Sequence, residues 1–495
     1  MLKKILNAVL VAALVAAALV GQSYLPQLQI RVGDRPVLRP IDVKAKDLQL
    51  VCPGGAFRSG GASGTKVGQF DRLGDAQVSY STNLPQGVSL KAQTVTGNVA
   101  PMRTLTNTVN PNVEVQSESN ALTLTVADPA GVASQGSSLI TAQSFQVVKS
   151  SSLNGALAAN CQRPSSEQWL LGANTTVGRE SLIILANPSA TDATVDLQIF
   201  GQHGAIDGAG LSGISVSANR FTVLPVSSFA SDQELVAIRV SSKGAALASW
   251  VQQRTVRGTL AAGADLISPS IPAAANLVIP GLFKRGTKDA STLIASNVNY
   301  NDLSPTLALF VPGSATATVT AQVIGTDSKT FGTVVQQQVS GGTVGKLPLN
   351  GLKDGNYAVF INSDQPVFAA VQLSRTNVTK TPNTDFAWLP AVATATSPRL
   401  ITTPGGTAIS KLSIANPNPR SANVTVINAT AGTRSTFVIP RLTSSVLAVA
   451  AGSVVSVESD IPVASSLVMD FDWQLAVLGL VDYKNVGGSL SVLVR

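Results

Sequence analysis

Two carboxylates one residue apart, in Asp470-Phe471-Asp472-Trp473, are the chain's best candidates for acid–base chemistry. Side chains alternate on a strand, so both carboxylates would leave one face and the two aromatics the other. Glycoside hydrolysis needs such a pair, about 5–5.5 Å apart in retaining enzymes, and calcium could also draw on it. Two carboxylates on one strand, however, point in parallel and do not face each other across a substrate. The pattern is also that of any solvated strand edge. The expectation is therefore no catalytic residue, no metal and no cofactor.

The other chemical candidates are few. One histidine, His203 in Gly201-Gln-His-Gly204, leaves room for a Ser-His-Asp triad only if built on this residue, and none for a multi-histidine metal site. Its glycine flanks suggest a hairpin tip. No Gly-rich loop ends in Lys-Ser or Lys-Thr to cradle phosphates. Two cysteines, Cys52 and Cys161, are too few for a thiolate metal site. In an exported chain they are expected to pair, with two buried free thiols as the alternative. A loop of that length would contribute at most ~4–5 kcal/mol in the chain-entropy account. Four tryptophans, Trp169, Trp250, Trp388 and Trp473, fall near unit boundaries or closing strands, which suits packing better than a row of sugar-stacking platforms. Sequons at Asn174, Asn377, Asn423 and Asn428 are chance matches in a Thr-rich chain.

The elements that must position these residues are strands. Only 13% of the 495 residues are charged, and the common residues are Thr, Ser, Val, Ala and Gly. The length suits several domains. The net charge of +8 is spread along the chain without Lys/Arg runs, which argues against nucleic acid as a partner. At the N-terminus, Lys3 and Lys4 precede an apolar run from Ile5 to Val20, the pattern of an export signal. Ala16 and Ala18 fit cleavage, while the uncharged stretch up to Arg31 is long enough for an anchor. Either way, Ser23 onward would face outside. Residues 26–47, with Pro26, Pro36 and Pro40 and the basic Arg31, Arg35, Arg39, Lys44 and Lys46, read as a linker.

A phrase then repeats: Ile184-Leu-Ala-Asn187-Pro188, Ile294-Ala-Ser-Asn297-Val298 and Ile414-Ala-Asn416-Pro417. Alternating strands follow, Val195-Asp-Leu-Gln-Ile199 and Val424-Thr-Val426 in the outer copies and Val319-Thr-Ala-Gln-Val323 in the middle one. The longer gap in the middle copy implies an insertion, 299–316, with an extra strand or flap at Thr306–Val311. Near the end of each copy two strands flank a turn, as at Ser363-Asp-Gln-Pro366 and Ser459-Asp-Ile-Pro462.

The order Cys-Pro-Gly, a Cys before a Trp-containing segment, repeated Asn-Pro phrases, and Asp385-Phe-Ala-Trp388 resembles a family of uncharacterised exported actinobacterial envelope proteins. The family is known only as a domain of unknown function, so the resemblance implies no activity and no site residues.

Unit lengths of about 90–125 residues favour immunoglobulin-like sandwiches over propeller blades of about 40–50. The expected fold is all-β, tandem immunoglobulin-like sandwiches after an N-terminal hydrophobic segment. Its parts are a signal or anchor at 1–25, a linker at 26–47, and a leading sandwich closed by the disulfide at 48–164. Repeats follow at 165–272, 273–396 and 397–495, each expected to bury its own core. The expected function is a non-catalytic envelope scaffold or interaction module, with a wall-polymer or glycan binder as the alternative and a glycoside hydrolase more remote. The partner would be an envelope protein or wall polymer, with membrane anchoring through 5–25 left open.

Overall fold

Strict alternation in the sequence becomes half-buried strands. Ala193–Gly201, Ala317–Gly325 and Ala422–Asn428 each bury every second side chain at their start, placing Val195, Val319 and Val424 inside and Asp196, Thr320 and Thr425 outward. The computed structural model describes residues 37–43, 48–59, 70–82, 89–96, 103–106, 112–126, 140–326, 332–378, 382–406, 409–481 and 488–494. The apolar segment 1–25 and most of the linker lie outside them. Among the described residues no helix is long and apolar enough to cross a membrane.

The chain is all-β, a series of immunoglobulin-like sandwiches. In the leading unit, Leu48–Cys52, Ala121–Val126, Ser89–Val95 and Arg103–Thr106 form one sheet. Asn154–Asn160, Ile140–Lys149, Ala76–Thr82 and Asn112–Glu118 form the other. Cys52 and Cys161 are joined by a disulfide, so the unit's first strand is tied to the end of its last.

In the first repeat, Glu167–Ala173, Val236–Lys243 and Ala193–Gly201 make one sheet, and Arg220–Pro225, Arg179–Asn187, Ala248–Arg257 and Leu260–Ile267 the other. The third repeat copies this order. Arg399–Thr402, Val454–Ser459, Ala422–Asn428 and Thr433–Ile439 face Thr443–Val449, Ile409–Asn416, Ala464–Phe471 and Gln474–Gly479.

The second repeat departs from the expected turn. Gly355–Val378 is one unbroken strand that runs through Ser363-Asp-Gln-Pro366 and passes from one sheet to the other. Its first half pairs with Ala274–Lys284 and Ala317–Gly325, its second with Thr306–Phe310 and Pro382–Pro390. Asp364 accepts the Thr318 N–H at 2.8 Å, as Asp460 accepts that of Asn423 in the third repeat. The side-chain chemistry of the turn is kept although the chain does not bend.

The repeated phrase is also re-registered. Ile294-Ala-Ser lies on the helix Thr287–Ser296, and Asn297 is its C-cap, accepting the Asn299 N–H. Ala290 and Leu293, three residues apart, turn that helix's apolar side onto Leu303. The strand equivalent to Arg179–Asn187 and Ile409–Asn416 is Thr306–Phe310. Phe310 pairs with Phe368 where Ala186 pairs with Ala248 and Ala415 with Ala464. Thr306–Phe310 is thus a core strand, and the inserted material is the helix with the turn Val298–Leu303. In the outer copies the phrase's asparagine is wholly buried and staples the following loop. Asn187 donates to the Thr191 and Val216 carbonyls, and Asn416 to those of Arg420 and Ile439. Its role is hydrogen bonding across the loop. Val311 takes its place in the middle copy.

The units do not bury separate cores. Trp250, Leu182 and Ile184 of the first repeat share a cluster with Val51, Phe57 and Leu157 of the leading unit. Phe310, Phe368 and Trp388 of the second repeat join the core of the first. Phe145 and Ala158 of the leading unit join that of the third. The closing strands Asn154–Asn160, Leu260–Ile267, Pro382–Pro390 and Gln474–Gly479 touch in cyclic order, the last against the first. Four sandwiches therefore form a closed ring within residues 45–486, a single compact unit.

Val37–Val43 and Gly488–Val494 make a second, small unit, an antiparallel pair in register from Val37↔Val494 to Val43↔Gly488. Part of the expected linker is thus a strand. Its partner comes from the end assigned to the third repeat, since either segment alone leaves its backbone groups unpaired.

Candidate functional site

Asp470 and Asp472 do not form a carboxylate pair. Asp470 ends the buried part of Ala464–Phe471, 2% exposed, between Arg375 at 3.2 Å and Arg285 at 3.0 Å. Asp472 lies beyond that strand, in the two-residue turn before Gln474–Gly479, with φ of +70° and its side chain exposed. The strand ends one residue too early for alternation to place both on one face. Arg375 also donates to the Asp472 carbonyl, so the cluster is a clamp between the second and third repeats.

His203 is exposed at the tip of the Ala193–Gly201/Gly204–Ile206 hairpin. Trp250 is fully buried between the leading unit and the first repeat. Trp169 stands with Phe200, Phe310 and Phe368 in one cluster, its ring centroid 5.0–5.8 Å from the other three. Trp388, 5% exposed, lies where a Cβ on Gly172 would fall 2.8 Å from its ring. It is no platform for a sugar. Trp473 shares the turn with Asp472 and is half-buried.

The centre of the ring escaped sequence reasoning. Asp385, 1% exposed, accepts four backbone N–H bonds. Ala156 and Leu475 donate to Oδ2 at 2.9 Å each, Ala264 to Oδ1 at 3.0 Å and Phe386 to Oδ1 at 2.9 Å. One donor comes from the closing strand of each unit, and the strand registers make the repeats' donors equivalent. The residues preceding the four donors are Gly155, Gly263, Asp385 and Gln474. A Cβ on Gly155 would stand 2.4 Å from the Ala264 nitrogen and 2.8 Å from Asp385 Oδ1. Gly263, at φ +130°, would press Phe386 and Asp385 in the same way. Two glycines thus make room for one carboxylate. Burial pushes the Asp385 carboxyl well above its usual range, and the four N–H groups pull the other way.

Beyond this hub, at the ends of the closing strands, is a cavity of about 240 Å³ lined from all four units, among others by Asn160, Leu266, Trp388 and Leu478. A larger one, about 640 Å³, lies between the second and third repeats and is lined by Asn276, Thr320, Gln322, Phe360, Asn362 and Leu442 among others. Among the described residues that line it, none is charged. Among the described residues no group of three or more His, Cys, Asp or Glu could hold a metal ion.

Residues 113–458 match a family described as "Family of unknown function (DUF5719)". The chain belongs to that family. No curated protein matches it. A solved "Biofilm associated protein - BSP domain" aligns over 91% of this DUF5719 chain and 99% of its own, at 11% identity and a TM-score of 0.13. A score that low carries no argument about fold or function. Asp385, three of its four donors and most of the lining of both cavities fall inside the matched segment, and Leu475 lies beyond it.

A second carboxylate, Asp265, joins the ring between the first and second repeats. It is 1% exposed and accepts the Trp388 N–H at 2.7 Å, and burial raises its pKa to about 7. With Asp385 and Asp470 it completes the buried carboxylates among the described residues, and each binds a unit other than its own.

Proposed function

We propose that the chain is a non-catalytic exported protein, a rigid scaffold or interaction module outside the cytoplasmic membrane. The carrying observation is the use of its buried carboxylates: Asp265, Asp385 and Asp470 are each engaged by a neighbouring unit and none opens onto a cleft that combines it with a second acid. A catalytic carboxylate needs access to substrate, whereas these lock four sandwiches into one body. The disulfide supports an oxidising compartment. The apolar segment at 1–25 supports export, either cleaved or kept as an anchor.

Crosslinking of the full chain in intact cells, followed by identification of what is attached, tests this reading. An envelope protein or wall polymer is expected. Recovery of the full-length chain only from the cytoplasm would overturn it, as would turnover of a wall glycan that Asp470→Asn abolishes while folding survives. The uncharged cavity beside Phe360 favours a second reading, binding of a wall polymer or glycan.

A further inference from the structure

The cavity between the second and third repeats is set apart by what the same positions carry elsewhere in the chain. Strand registers align Asn276, Thr320 and Asn362 of the second repeat with Glu167, Asp196 and Ser241 of the first. Gln322 and Phe360 align with Gln198 and Arg239. In the first repeat this face holds ion pairs, Arg239 with Glu167 at 2.7 Å and Lys243 with Asp196 at 3.6 Å. In the third, Glu458 stands at the position of Asn362 and pairs with Arg434. In the second repeat the residues of this face that line the cavity are uncharged, with Asp364, at the position of Lys243, lying outside that lining, and an aromatic ring stands where the first repeat has an arginine.

The other wall is unusual as well. The turn that enters the strand after the stapled loop has positive φ in all three repeats, at Asn219 (+52°), Gly342 (+71°) and Leu442 (+50°). Asn and Gly adopt that conformation readily and leucine does not. Leu442 holds it while 40% exposed at the cavity's edge. A strained backbone that presents an apolar side chain to solvent serves packing poorly and suits a contact made only when the cavity is filled.

The space itself also differs. At the junction of the first and second repeats, Trp169, Phe200, Phe310 and Phe368 fill the interface. Their equivalents at the next junction are Val278, Ile324, Ala415 and Ala464. With four rings gone, the 640 Å³ cavity opens beside Val278, a volume within the range of small-ligand sites.

We propose that this cavity binds an uncharged oligosaccharide, its hydroxyls bonded by Asn276, Thr320, Gln322 and Asn362 and its apolar ring face set against the exposed Leu442, with Phe360, 7% exposed, as part of the apolar floor and not a stacking platform. Side-chain amides give and accept hydrogen bonds at once, as a sugar hydroxyl requires. The lack of any cation argues against an anionic polymer, for which arginine or lysine would be expected. The proposal rests on the non-catalytic reading above and narrows it to a ligand class.

The test uses the purified full chain on immobilised uncharged gluco-, manno- and galacto-oligosaccharides, with affinity for the best binder measured by calorimetry. Binding is expected, without release of shorter sugars. Leu442→Asn and Asn362→Asp should each weaken it at least tenfold, Leu442→Asn with an unchanged or raised Tm, so that lost binding is not lost folding. No binding to any uncharged sugar overturns the proposal, as does binding that both variants leave intact, or preference for an anionic polymer or an uncharged peptide. Those outcomes leave a partner crosslinked in cells, and hence the scaffold reading, standing. Release of shorter sugars would instead sink the non-catalytic reading.

Discussion

The junction between the first and second repeats and that between the second and third are built alike and finished differently. In each, one aspartate is gripped by two arginines: Asp302 by Arg179 and Arg257 at 2.7 Å, and Asp470 by Arg285 and Arg375 at 3.0 and 3.2 Å. The first junction is then packed with four aromatic rings and receives the buried Asp265, whose equivalents are Ala387 and Ala476. The second has small residues and a cavity. One architecture thus permits both a filled and an open interface, so the opening is not forced by the fold. It is a property of the residues placed there, and the neutral face and strained Leu442 lie on that same opening.

The hub underlies both junctions and should give the largest effect. Asp385→Ala leaves four buried N–H groups without a partner, each worth about 1–3 kcal/mol. A loss of roughly 5 kcal/mol is expected in chemical denaturation, with the repeats losing cooperativity together. A loss under ~1 kcal/mol would show that the ring is held by its apolar contacts alone.

The hub also shows how far the sequence was legible. Alternating strands are local chemistry and could be read locally, and two cysteines leave a single pairing; Asn187 and Asn416 could be read as a repeat, but their buried hydrogen bonds to the Val216 and Ile439 carbonyls could not. Nor could the ring. Gly155, Gly263, Asp385 and Gln474 share a position only after their strands are paired, and nothing in Asp385-Phe-Ala-Trp388 says that its carboxylate meets three other units. The middle phrase misled for a related reason. Asn297 follows Ile-Ala-Ser as Asn187 follows Ile-Leu-Ala, yet asparagine ends helices as well as strands, and only the pairing of Phe310 with Phe368 shows which strand is equivalent. Likewise, Asp470 and Asp472 look paired until the strand is seen to stop at Phe471.

The next largest effect should separate the junctions by pH. Asp265 has a pKa raised to about 7 by burial, above its unfolded value near 3.8. Between those values the folded state holds a proton that the unfolded state has lost, so stability falls as pH rises. The contribution is fully present below about pH 4 and gone above about pH 7, a change of a few kcal/mol. Asp265→Asn should reduce that slope in denaturation curves between pH 4 and 7.5, leaving the part that the raised Asp385 carboxyl contributes in the same direction. A slope unchanged in the variant would assign the titration elsewhere.

The two clamps should differ in the same direction as their burial. Asp470→Asn leaves Arg375, 6% exposed at its side chain, without its counter-charge, and a loss of about 3 kcal/mol is expected. Asp302 is itself 21% exposed, so although Arg179 and Arg257 are only 11% and 8% exposed, water can enter beside both once it is neutral, and Asp302→Asn should cost about 1–2 kcal/mol. Equal losses would mean that geometry at the interface, not desolvation, sets the strength of the clamps.

The smallest effect has the opposite sign. Leu442→Asn replaces a leucine at φ +50° with the residue that the first repeat carries at the same turn. Relief of that strain should stabilise the chain by about 1 kcal/mol, read as a rise in Tm. Asn219→Leu in the first repeat, where no cavity opens, should lose about as much. If Leu442→Asn instead destabilises, Leu442 contributes packing to the third repeat and its exposure is incidental. If it stabilises, the open junction retains at its rim a residue that the fold alone disfavours, which is what separates it from the filled one.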